Sequence, residues 1–556
     1  MKDLRRHQLL AVRWQTAGVT ALLDTVLIFM FLFTAAPSAL QAQTYTDLVN
    51  LSCLNGCVSP PAGILAQGTD GNLYGTLLGG GPANGGSVFK VTPSGVLTTL
   101  YDFSGPDGLA PFGGLTLGTD GNFYGTTAEG SPTHQGTIFK ITPAGVLTTL
   151  HTFSGPDGIG PRTPPVQGKN GSYYGVTYTG PTAGIGYSIT STGTFKVLTT
   201  AIPLNSQCPL LLASDGNFYG TSTEGGTIGQ GTVFRMSPTG AVKIIYSFDG
   251  LHGQVPFGPV VQGSDGFLYG TAANSSPTTG GVVFKLSLAG KITALHQFDA
   301  TKTIDGYQPE AGLVAATDGN FYGATSSGVP SGPTQYGTLF KITKGGTYSI
   351  QYVFDSTHGA NQYANSMQHT NGALYGVPNA GGPFNSGVLY SLVQSIPIPS
   401  FVSVVGYAGG AAGQTVEIIG NKLTGTTSVS FGSGSATFTV VSDTYMTAVV
   451  PATGTTGSLT VVTPSGTLNS KQIFKVLPVV SSFTPTSGPV GAQVIITGTG
   501  LIGTTRVTFG GIKATAFTVN SAKQITATVP AGALTGRIAI TTAAGTATSL
   551  GTFTVN

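Results

Sequence analysis

The chain has 556 residues, of which only 8% are Asp, Glu, Lys or Arg, whereas 85 are Gly. Its formal net charge of +3 at pH 7 gives no strong electrostatic field, so nucleic acids and anionic membrane surfaces are excluded as obvious partners. The 29 Phe residues and the regular strand-like patterning argue for packed β-sheet cores and against a low-complexity chain.

The first segment of the chain has the features of an export signal. Four cationic residues lie within the first 13 positions, an apolar run covers residues 26–33, and small residues lead up to Ala42. This order predicts a signal peptide over residues 1–42, cleaved after Ala42. An uncleaved membrane anchor is the alternative, although Asp24 leaves the run shorter than the roughly 20 apolar residues that a spanning helix needs. We therefore expect a secreted or cell-surface protein, with membrane contact only if the segment is retained.

The chain contains three cysteines. Cys53 and Cys57 flank a Leu-Asn-Gly turn, and in an exported protein this spacing predicts a disulfide, with two free thiols as the alternative. A CxxxC pair without further ligands nearby is not a zinc pattern, and the sequence has no acidic calcium loop, so we expect no metal and no cofactor. Cys208 is expected to be a lone buried thiol.

An aromatic or aliphatic residue followed by Tyr-Gly occurs seven times in the first two thirds of the chain. The interval between successive copies is 45 to 53 residues, a period that is typical of the four-stranded blades of a β-propeller. The sequence therefore predicts a seven-bladed propeller over residues 43–394. The tyrosines are Tyr74, Tyr124, Tyr174, Tyr219, Tyr269, Tyr322 and Tyr375.

Each copy has the same order of strand and turn signals. In the second copy, residues 115–153 contain four β-rich runs, and Asp120-Gly121 predicts a tight hairpin turn between the first two. In the third and seventh copies Asn170 and Asn371 replace the aspartate, which keeps the turn geometry and removes the charge. Turn formation therefore explains these aspartates better than acid chemistry does. The repeated tyrosines are expected to pack between blades, with a ring for stacking sugars as the alternative.

The seventh copy has no counterpart of the fourth strand, because the chain runs directly into the Pro-containing stretch at residues 395–399. Residues 45–51, upstream of the first copy, have the pattern of a fourth strand without a blade of its own. We expect this segment to complete the seventh blade, which would close the ring and remove its exposed edges.

The repeated unit, L/F-Y-G-T-T followed by G-G and then G-T-V-F-K, resembles the GloVer tandem-repeat family of bacterial surface or secreted proteins. The resemblance extends from about Leu65 to Leu392 and is weakest in the third copy, where Tyr187 begins a Tyr-Ser-Ile run in place of Phe-Lys-Ile. It implies export and surface attachment, and it implies neither a reaction nor a ligand.

A second repetition begins after the linker at residues 395–399. Residues 413–420 match residues 491–498 at an offset of 78, and short alternating strands punctuated by Gly, Pro and Thr predict two sandwiches, over 400–477 and 478–556. Both resemble immunoglobulin-like IPT/TIG domains, which implies spacer or adhesive modules in exported bacterial proteins and DNA-contacting modules in some transcription factors. The few cations of this region are scattered, so we exclude nucleic acid as a partner.

The long loops of the propeller are the predicted ligand face. The turns between the first and second and between the third and fourth strands are tight, so the long connections must share the opposite face. Seven ionisable residues of these loops are the candidate ligand-binding residues; none is assigned a catalytic role. They are Glu129, His134, Glu224, Asp249, His252, Asp355 and His358.

These observations favour an exported, non-enzymatic binding or adhesion protein whose partner is an extracellular glycan or a surface protein. A polysaccharide-active hydrolase or lyase is the first alternative, since Glu129 and Glu224 occupy the same loop position in two blades. A passive component of the cell envelope without a specific ligand is the second alternative.

Overall fold

The computed structural model describes residues 43–51, 64–274, 280–299, 305–328, 332 and 334–556. Within these ranges the regular elements are β-strands, grouped in sheets of four or five strands, which confirms the predicted all-β class. No helix in these ranges could cross a bilayer. The predicted signal segment and the Cys53–Cys57 pair lie outside the described residues.

Seven four-stranded antiparallel sheets form the blades of a propeller, as predicted. We call the strands of a blade a to d, from the central axis outward. The a strands are Ala66–Gln67, Thr116–Leu117, Val166–Gln167, Leu211–Leu212, Val261–Gln262, Val314–Ala315 and Met367–Gln368. The b strands are Leu73–Leu77, Phe123–Thr127, Tyr173–Val176, Phe218–Ser222, Leu268–Ala272, Phe321–Thr325 and Leu374–Gly376. The c strands are Ser87–Val91, Thr137–Ile141, Gly184–Ile189, Thr232–Met236, Val282–Leu286, Thr338–Ile342 and Val388–Val393. The d strands are Leu97–Asp102, Leu147–Thr152, Phe195–Ile202, Val242–Ser247, Ile292–Gln297, Tyr348–Val353 and, for blade seven, Thr44–Asn50.

The start of the described chain closes the ring. Thr44–Asn50 pairs antiparallel with the c strand of blade seven, from Thr44 opposite Val393 to Asn50 opposite Val388, with one register shift. Tyr45 adds aromatic contacts to this pairing, because its ring stacks on Tyr352 at 3.7 Å between centroids. The predicted completion of blade seven is confirmed, and blade seven has no unpaired c strand.

The repeated tyrosines hold neighbouring blades together. Tyr74 of blade one stacks on Phe123, the residue before the Tyr of blade two, with 4.1 Å between ring centroids. Tyr124 stacks in the same way on Tyr173 at 3.8 Å. At the closure of the ring, Tyr375 and Leu73 belong to one buried cluster. These contacts confirm the packing role of the tyrosines, and all seven are buried, so none presents an exposed face to solvent.

The Asp-Gly turns between a and b strands also bond to these tyrosines. The hydroxyl of Tyr74 donates to Asp70 at 2.8 Å, and the same bond recurs with aspartate in four other blades. In blade three the bond is reversed, since the side-chain amide of Asn170 donates to the hydroxyl of Tyr174 at 3.0 Å. The Asp-to-Asn exchange therefore keeps both the turn and its link to the blade.

The Gly after each tyrosine makes room for an aromatic ring on the neighbouring c strand. A Cβ atom on Gly125 would lie 2.4 Å from the Cζ of Phe139, which is far inside van der Waals contact. Phe139 is fully buried. The Tyr-Gly pair is thus fixed by packing on both sides of the strand.

Two sandwiches follow the propeller, and their sheets have the same strand order. In the first, one sheet contains Ser403–Val404, Thr415–Ile419, Tyr445–Val449 and Phe438–Val440, and the other contains Gly409–Gly410, Gly466–Val476, Gly457–Thr463, Ser428–Phe431 and Gly434–Ser435. In the second sandwich, one sheet contains Val479–Thr484, Gln493–Thr499, Gln524–Thr528 and Phe517–Ser521. The other sheet contains Ser487–Gly488, Gly545–Val555, Gly536–Thr542, Arg506–Phe509 and Ile512–Lys513. Each sandwich has its own buried apolar core.

The first sandwich lies against the tight-turn face of the propeller. Thr444 donates its hydroxyl hydrogen to the carbonyl of Thr69 at 2.8 Å, and Thr370 donates to the carbonyl of Gly420 at 2.8 Å. The ammonium group of Lys475 donates to a carbonyl of blade four. A cavity of about 280 Å³ lies between the ends of a strands and the sandwich, so the sandwich covers this end of the central channel.

Candidate functional site

Six residues at equivalent places in six blades surround the open end of the central channel. Each stands four residues before the first residue of its a strand, and each lines a cavity of about 280 Å³ on the long-loop face. We call these residues the mouth ring: Phe112, Arg162, Gln207, Phe257, Glu310 and Tyr363. In the sequence, Ala62 stands at the same spacing before Ala66, and it lies outside the described residues.

Local packing fixes the backbone that carries the mouth ring. The proline before Arg162, Pro161, packs against the start of the blade-two c strand, where a Cβ on Gly136 would lie 3.0 Å from its Cδ. Gly136 has a φ of +90°, which a residue with a side chain rarely adopts. On the other side of Arg162, the carbonyl of Thr163 accepts a hydrogen bond from the hydroxyl of Thr126 at 3.1 Å. The ring position is therefore held by contacts between blades, while its side chain is free to vary.

The mouth combines aromatic faces with amide groups. Tyr363 is 46% exposed and Phe257 36% exposed, whereas Phe112 is half-buried. The side chains of Asn365 and Asn379 also line the cavity. Large exposed aromatic side chains beside hydrogen-bonding amides form a surface suited to a ligand with both apolar and polar faces.

Arg162 is the cation of the mouth ring. Its guanidinium carbon lies 3.8 Å from the ring centroid of Tyr178 and 5.2 Å from that of Phe112. One terminal nitrogen, Nη1, donates to the side-chain oxygen of Gln207 at 3.3 Å. The Nε atom is buried and has no hydrogen-bond partner in the described part of the chain. Two aromatic rings thus hold a guanidinium group whose hydrogen-bonding capacity is only partly used.

Glu310 is the carboxylate of the mouth ring, three blades away from Arg162. Burial raises the pKa of Glu310 to about 7, and a hydrogen bond with Ser326 offsets part of this effect. Burial, and then the charge of Glu310, raises the pKa of Tyr363. A carboxyl group with this pKa is largely protonated at mildly acidic pH and can then donate a hydrogen bond.

The structure brings four of the seven predicted site residues together as two separate pairs. His252 Nδ1 lies 2.8 Å from an Asp249 carboxylate oxygen, and the His252 N–H donates to that carboxylate. Asp355 and His358 repeat both contacts after the d strand of blade six. Each pair closes a turn within one loop. Burial alone would raise the pKa of Asp249, but hydrogen bonds from His252 lower it.

The other three predicted residues, Glu129, Glu224 and His134, have exposed side chains in the loops between b and c strands. The backbone of Glu129 pairs with that of Leu109, with N···O distances of 2.7 and 3.0 Å. Thr179, Asn274, Ser327 and Ala380 occupy the corresponding backbone bridge in other blades. Neither Glu129 nor Glu224 lines the mouth cavity.

Two further groups bear on the chemistry of the site. Cys208, next to Gln207, is buried and reduced, and burial raises its thiol pKa to about 12, so it is not a poised nucleophile. Across the described ranges, no group of three or more His, Cys, Asp or Glu side chains is arranged to hold a metal ion.

The sequence contains a signal for the mouth ring just before the a strands. A Pro-Xaa pair precedes the a strand of four blades, and Xaa changes from copy to copy while the surrounding repeat stays the same. The four pairs are Pro111-Phe112, Pro161-Arg162, Pro256-Phe257 and Pro309-Glu310. A variable residue at a fixed place in a repeat marks a position that packing does not dictate.

Comparison with known proteins agrees with this architecture. The family model described as Gloeobacter/Verrucomicrobia repeat matches residues 31–207 and 205–440, and the IPT/TIG domain model matches residues 478–555. The first match confirms the resemblance of the propeller repeats, and the second confirms the resemblance of the second sandwich to an IPT/TIG domain. No curated protein matches the chain.

Several solved structures are similar to parts of the chain at low sequence identity. A streptogramin B lyase is 17% identical, with a TM-score of 0.45, over 63% of this chain and 97% of the lyase. Virginiamycin B lyase from Staphylococcus aureus is 14% identical, with a TM-score of 0.44, over 63% of this chain and 98% of the lyase. SGBP-B from a xyloglucan utilization locus in Bacteroides uniformis is 21% identical, with a TM-score of 0.15, over 28% of this chain and 48% of that protein. At these TM-scores, the likenesses support no inference about activity or ligand.

Proposed function

The chain belongs to the Gloeobacter/Verrucomicrobia repeat family, and from the chemistry of the mouth ring we propose that it is an exported, non-enzymatic protein that binds an extracellular glycan. The observation that carries the proposal is the variety of side chains at one repeated position. Tyr-Gly and the turn residues recur from blade to blade because packing requires them, whereas the ring position holds aromatic, amide and charged side chains. A surface protein is the alternative partner.

The aromatic members of the ring suit a sugar better than a flat protein surface. Phe257 and Tyr363 present exposed faces at a concave mouth, and the C–H face of a pyranose ring packs well on such a face. Gln207 and Asn365 add amide groups that can bond to sugar hydroxyls. A concave cavity of about 280 Å³ suits one terminal residue of a chain better than a protein segment.

The proposal is tested with the purified chain on a glycan array, followed by calorimetric titration of the glycans that bind. Replacing Tyr363 and Phe257 by Ala should weaken binding at least about tenfold, since each aromatic contact contributes on the order of 1 kcal/mol. Phe384→Ala is the matched control, because Phe384 is a 60% exposed aromatic residue of the blade-seven loop outside the cavity. Equal affinities for wild type and the ring variant would exclude the mouth as the binding site.

One specific feature supports the hydrolase or lyase alternative. Burial raises the pKa of Glu310 to about 7, which suits a general acid. Glycoside hydrolysis normally uses two carboxyl groups, and Glu310 is the only one among the described residues that line the mouth. Release of reducing ends or unsaturated sugars from polysaccharides, abolished by Glu310→Gln, would replace the binding proposal by the enzymatic one. A blank array and no turnover would favour a passive envelope component.

Export is proposed from the N-terminal pattern and has a separate test. The protein recovered from the culture medium should begin at Gln43, as read by N-terminal sequencing. A chain that keeps Met1 and sediments with membranes would instead support the uncleaved anchor.

A further inference from the structure

Arg162 gives the mouth ring a positive charge that forms no ion pair with a carboxylate of the described residues. Arg162 contacts two aromatic rings and the oxygen of Gln207, and its Nε has no partner in the described part of the chain. The ion pairs of the described residues involve other groups. A half-buried guanidinium without a carboxylate partner destabilises the free protein. A ligand that supplies a carboxylate removes this cost and therefore binds more tightly.

The aromatic contacts also limit the positions that this guanidinium can take. Tyr178 lies 3.8 Å from the guanidinium carbon and Phe112 lies 5.2 Å from it. Arg162 lines the cavity, and the two terminal nitrogens of a guanidinium match the two oxygens of a carboxylate. Little ordering of Arg162 is then needed when the ligand binds.

The other charged member of the ring does not oppose an anion at mildly acidic pH. Glu310 faces Ser326 and Tyr363, and with a pKa of about 7 it is mainly protonated below that pH. The net charge of the mouth then comes from Arg162. The exposed rings of Phe257 and Tyr363 remain available for the apolar face of a sugar.

We infer that the glycan bound by the mouth ring is acidic, and that it enters with a terminal uronic acid whose carboxylate pairs with Arg162. The inference rests on the proposed glycan-binding function and names the ligand class of the same site. Aromatic faces alone would not distinguish neutral from acidic sugars, whereas a guanidinium that has no carboxylate partner among the described residues does.

The test uses one oligosaccharide in two forms. Oligogalacturonate and the same oligosaccharide with its carboxyl groups reduced to alcohols are titrated into the full chain at pH 6 and at constant ionic strength. Wild type should bind the acidic form at least about tenfold more tightly, since a charge-assisted bidentate pair is lost on reduction. This comparison needs no variant and therefore does not depend on the folding of one.

Variants then assign the preference to one residue. Arg162→Gln should bring the two affinities within about twofold, and Arg162→Lys should keep only part of the preference, because an ammonium group cannot form the bidentate pair. Lys243→Gln removes a positive charge from an exposed position on the blade-four d strand and should leave the preference unchanged. A circular dichroism melt of each variant verifies that it is folded.

The outcomes separate the two proposals. If both forms bind equally and binding depends on Phe257 and Tyr363, the mouth binds glycans and the acidic-sugar inference is wrong. If neither form binds, but a peptide with a free C-terminal carboxylate binds through Arg162, the glycan proposal fails as well. An unchanged preference in Arg162→Gln would also overturn the inference.

Discussion

Two tyrosines at the same c-strand position, where the other five blades have Phe, differ in their hydrogen bonding. Tyr390 in blade seven donates to Gln362 at 2.9 Å and shares a hydrogen bond with Ser366 at 2.8 Å. Tyr187 in blade three is fully buried, and its hydroxyl has no partner among the described residues. The same substitution should therefore have opposite effects at the two positions.

Tyr187→Phe should raise the free energy of unfolding by about 1 kcal/mol, because it removes a buried hydroxyl that lacks a hydrogen bond. Tyr390→Phe should lower it by about 1–3 kcal/mol, because Gln362 and Ser366 each lose a buried partner. Equilibrium unfolding in urea measures both values. Equal effects at the two positions would show that hydrogen bonding does not distinguish them.

Glu310 predicts a pH dependence of stability. Its ordinary pKa of 4.5 rises to about 7 in the folded protein, so the folded state binds more protons than the unfolded state between these values. Stability therefore falls as pH rises from about 4.5 to about 7. Over this interval, the free energy of unfolding of wild type should fall by on the order of 1–2 kcal/mol relative to that of Glu310→Gln. Solvent at the mouth screens the carboxyl group and so reduces the effect of the pKa shift on stability.

The control for this prediction is Glu129→Gln, because the side chain of Glu129 is exposed in its loop. The difference between this variant and wild type should stay constant over the same pH interval. Urea unfolding at several pH values gives both differences. If the difference in free energy of unfolding between Glu310→Gln and wild type did not change with pH, the carboxyl group would ionise as freely in the folded protein as in the unfolded chain.

At the scale of the elements, the closing strand depends on its first aromatic residue. Tyr45 stacks on Tyr352 and Tyr390 with 3.7 and 4.9 Å between centroids, and its hydroxyl donates to the carbonyl of His358 at 2.5 Å. Tyr45→Ala should lower the free energy of unfolding by about 2–3 kcal/mol, below the usual effect of removing a fully buried aromatic side chain, because Tyr45 is only partly buried. Val146→Ala, at a 64% exposed position, should change it by less than about 0.5 kcal/mol.

Loss of the closing strand should also expose the edge of the seventh blade. In Tyr45→Ala, amide hydrogens of Val388–Val393 should exchange faster than those of the equivalent Thr137–Ile141 strand of blade two. Uniform exchange across all blades would mean that the ring unfolds as one unit and that Tyr45 has no local role.

The ring closure was predictable from sequence because the repeat itself revealed a missing strand after Val388–Val393 and a spare one before the first copy. The mouth ring was not predicted, because each a strand has only two residues and gives almost no periodic signal. The loop histidines were conspicuous by residue type, yet His252 and His358 each bond to an aspartate of their own turn. Contact of side chains around a central axis cannot be read from spacing along one blade.

At the scale of the whole molecule, the first sandwich and the propeller are joined through hydroxyl and carbonyl groups. The sequence resemblance implies a spacer or adhesive module, and this contact was not predicted, because hydroxyl and carbonyl groups leave no apolar pattern. Thr444 bonds to the backbone of Thr69, Lys475 bonds to that of Ser214, and Lys169 lies 4.8 Å from the ring of Tyr407.

Replacing Thr444 by Val and Lys475 by Ala in the full chain should weaken the coupling of these two parts by about 2 kcal/mol, the value of two hydrogen bonds. In calorimetry, the transition that contains the first sandwich should shift to lower temperature, while that of the second sandwich stays in place. Thr518→Val with Lys513→Ala, at exposed positions of the second sandwich, is the matched control. An identical calorimetric trace for the Thr444 and Lys475 variant would mean that the contact adds no stability.

The cover that the first sandwich places over one end of the channel limits how a polymer can reach the mouth ring. With the sandwich lying over that end, a long polysaccharide cannot pass straight through the channel. A glycan bound as proposed would therefore enter by a chain terminus or a single-sugar branch. Under that proposal, the number of chain ends in a sample, more than the mass of polymer, would set how many copies of the protein bind to it.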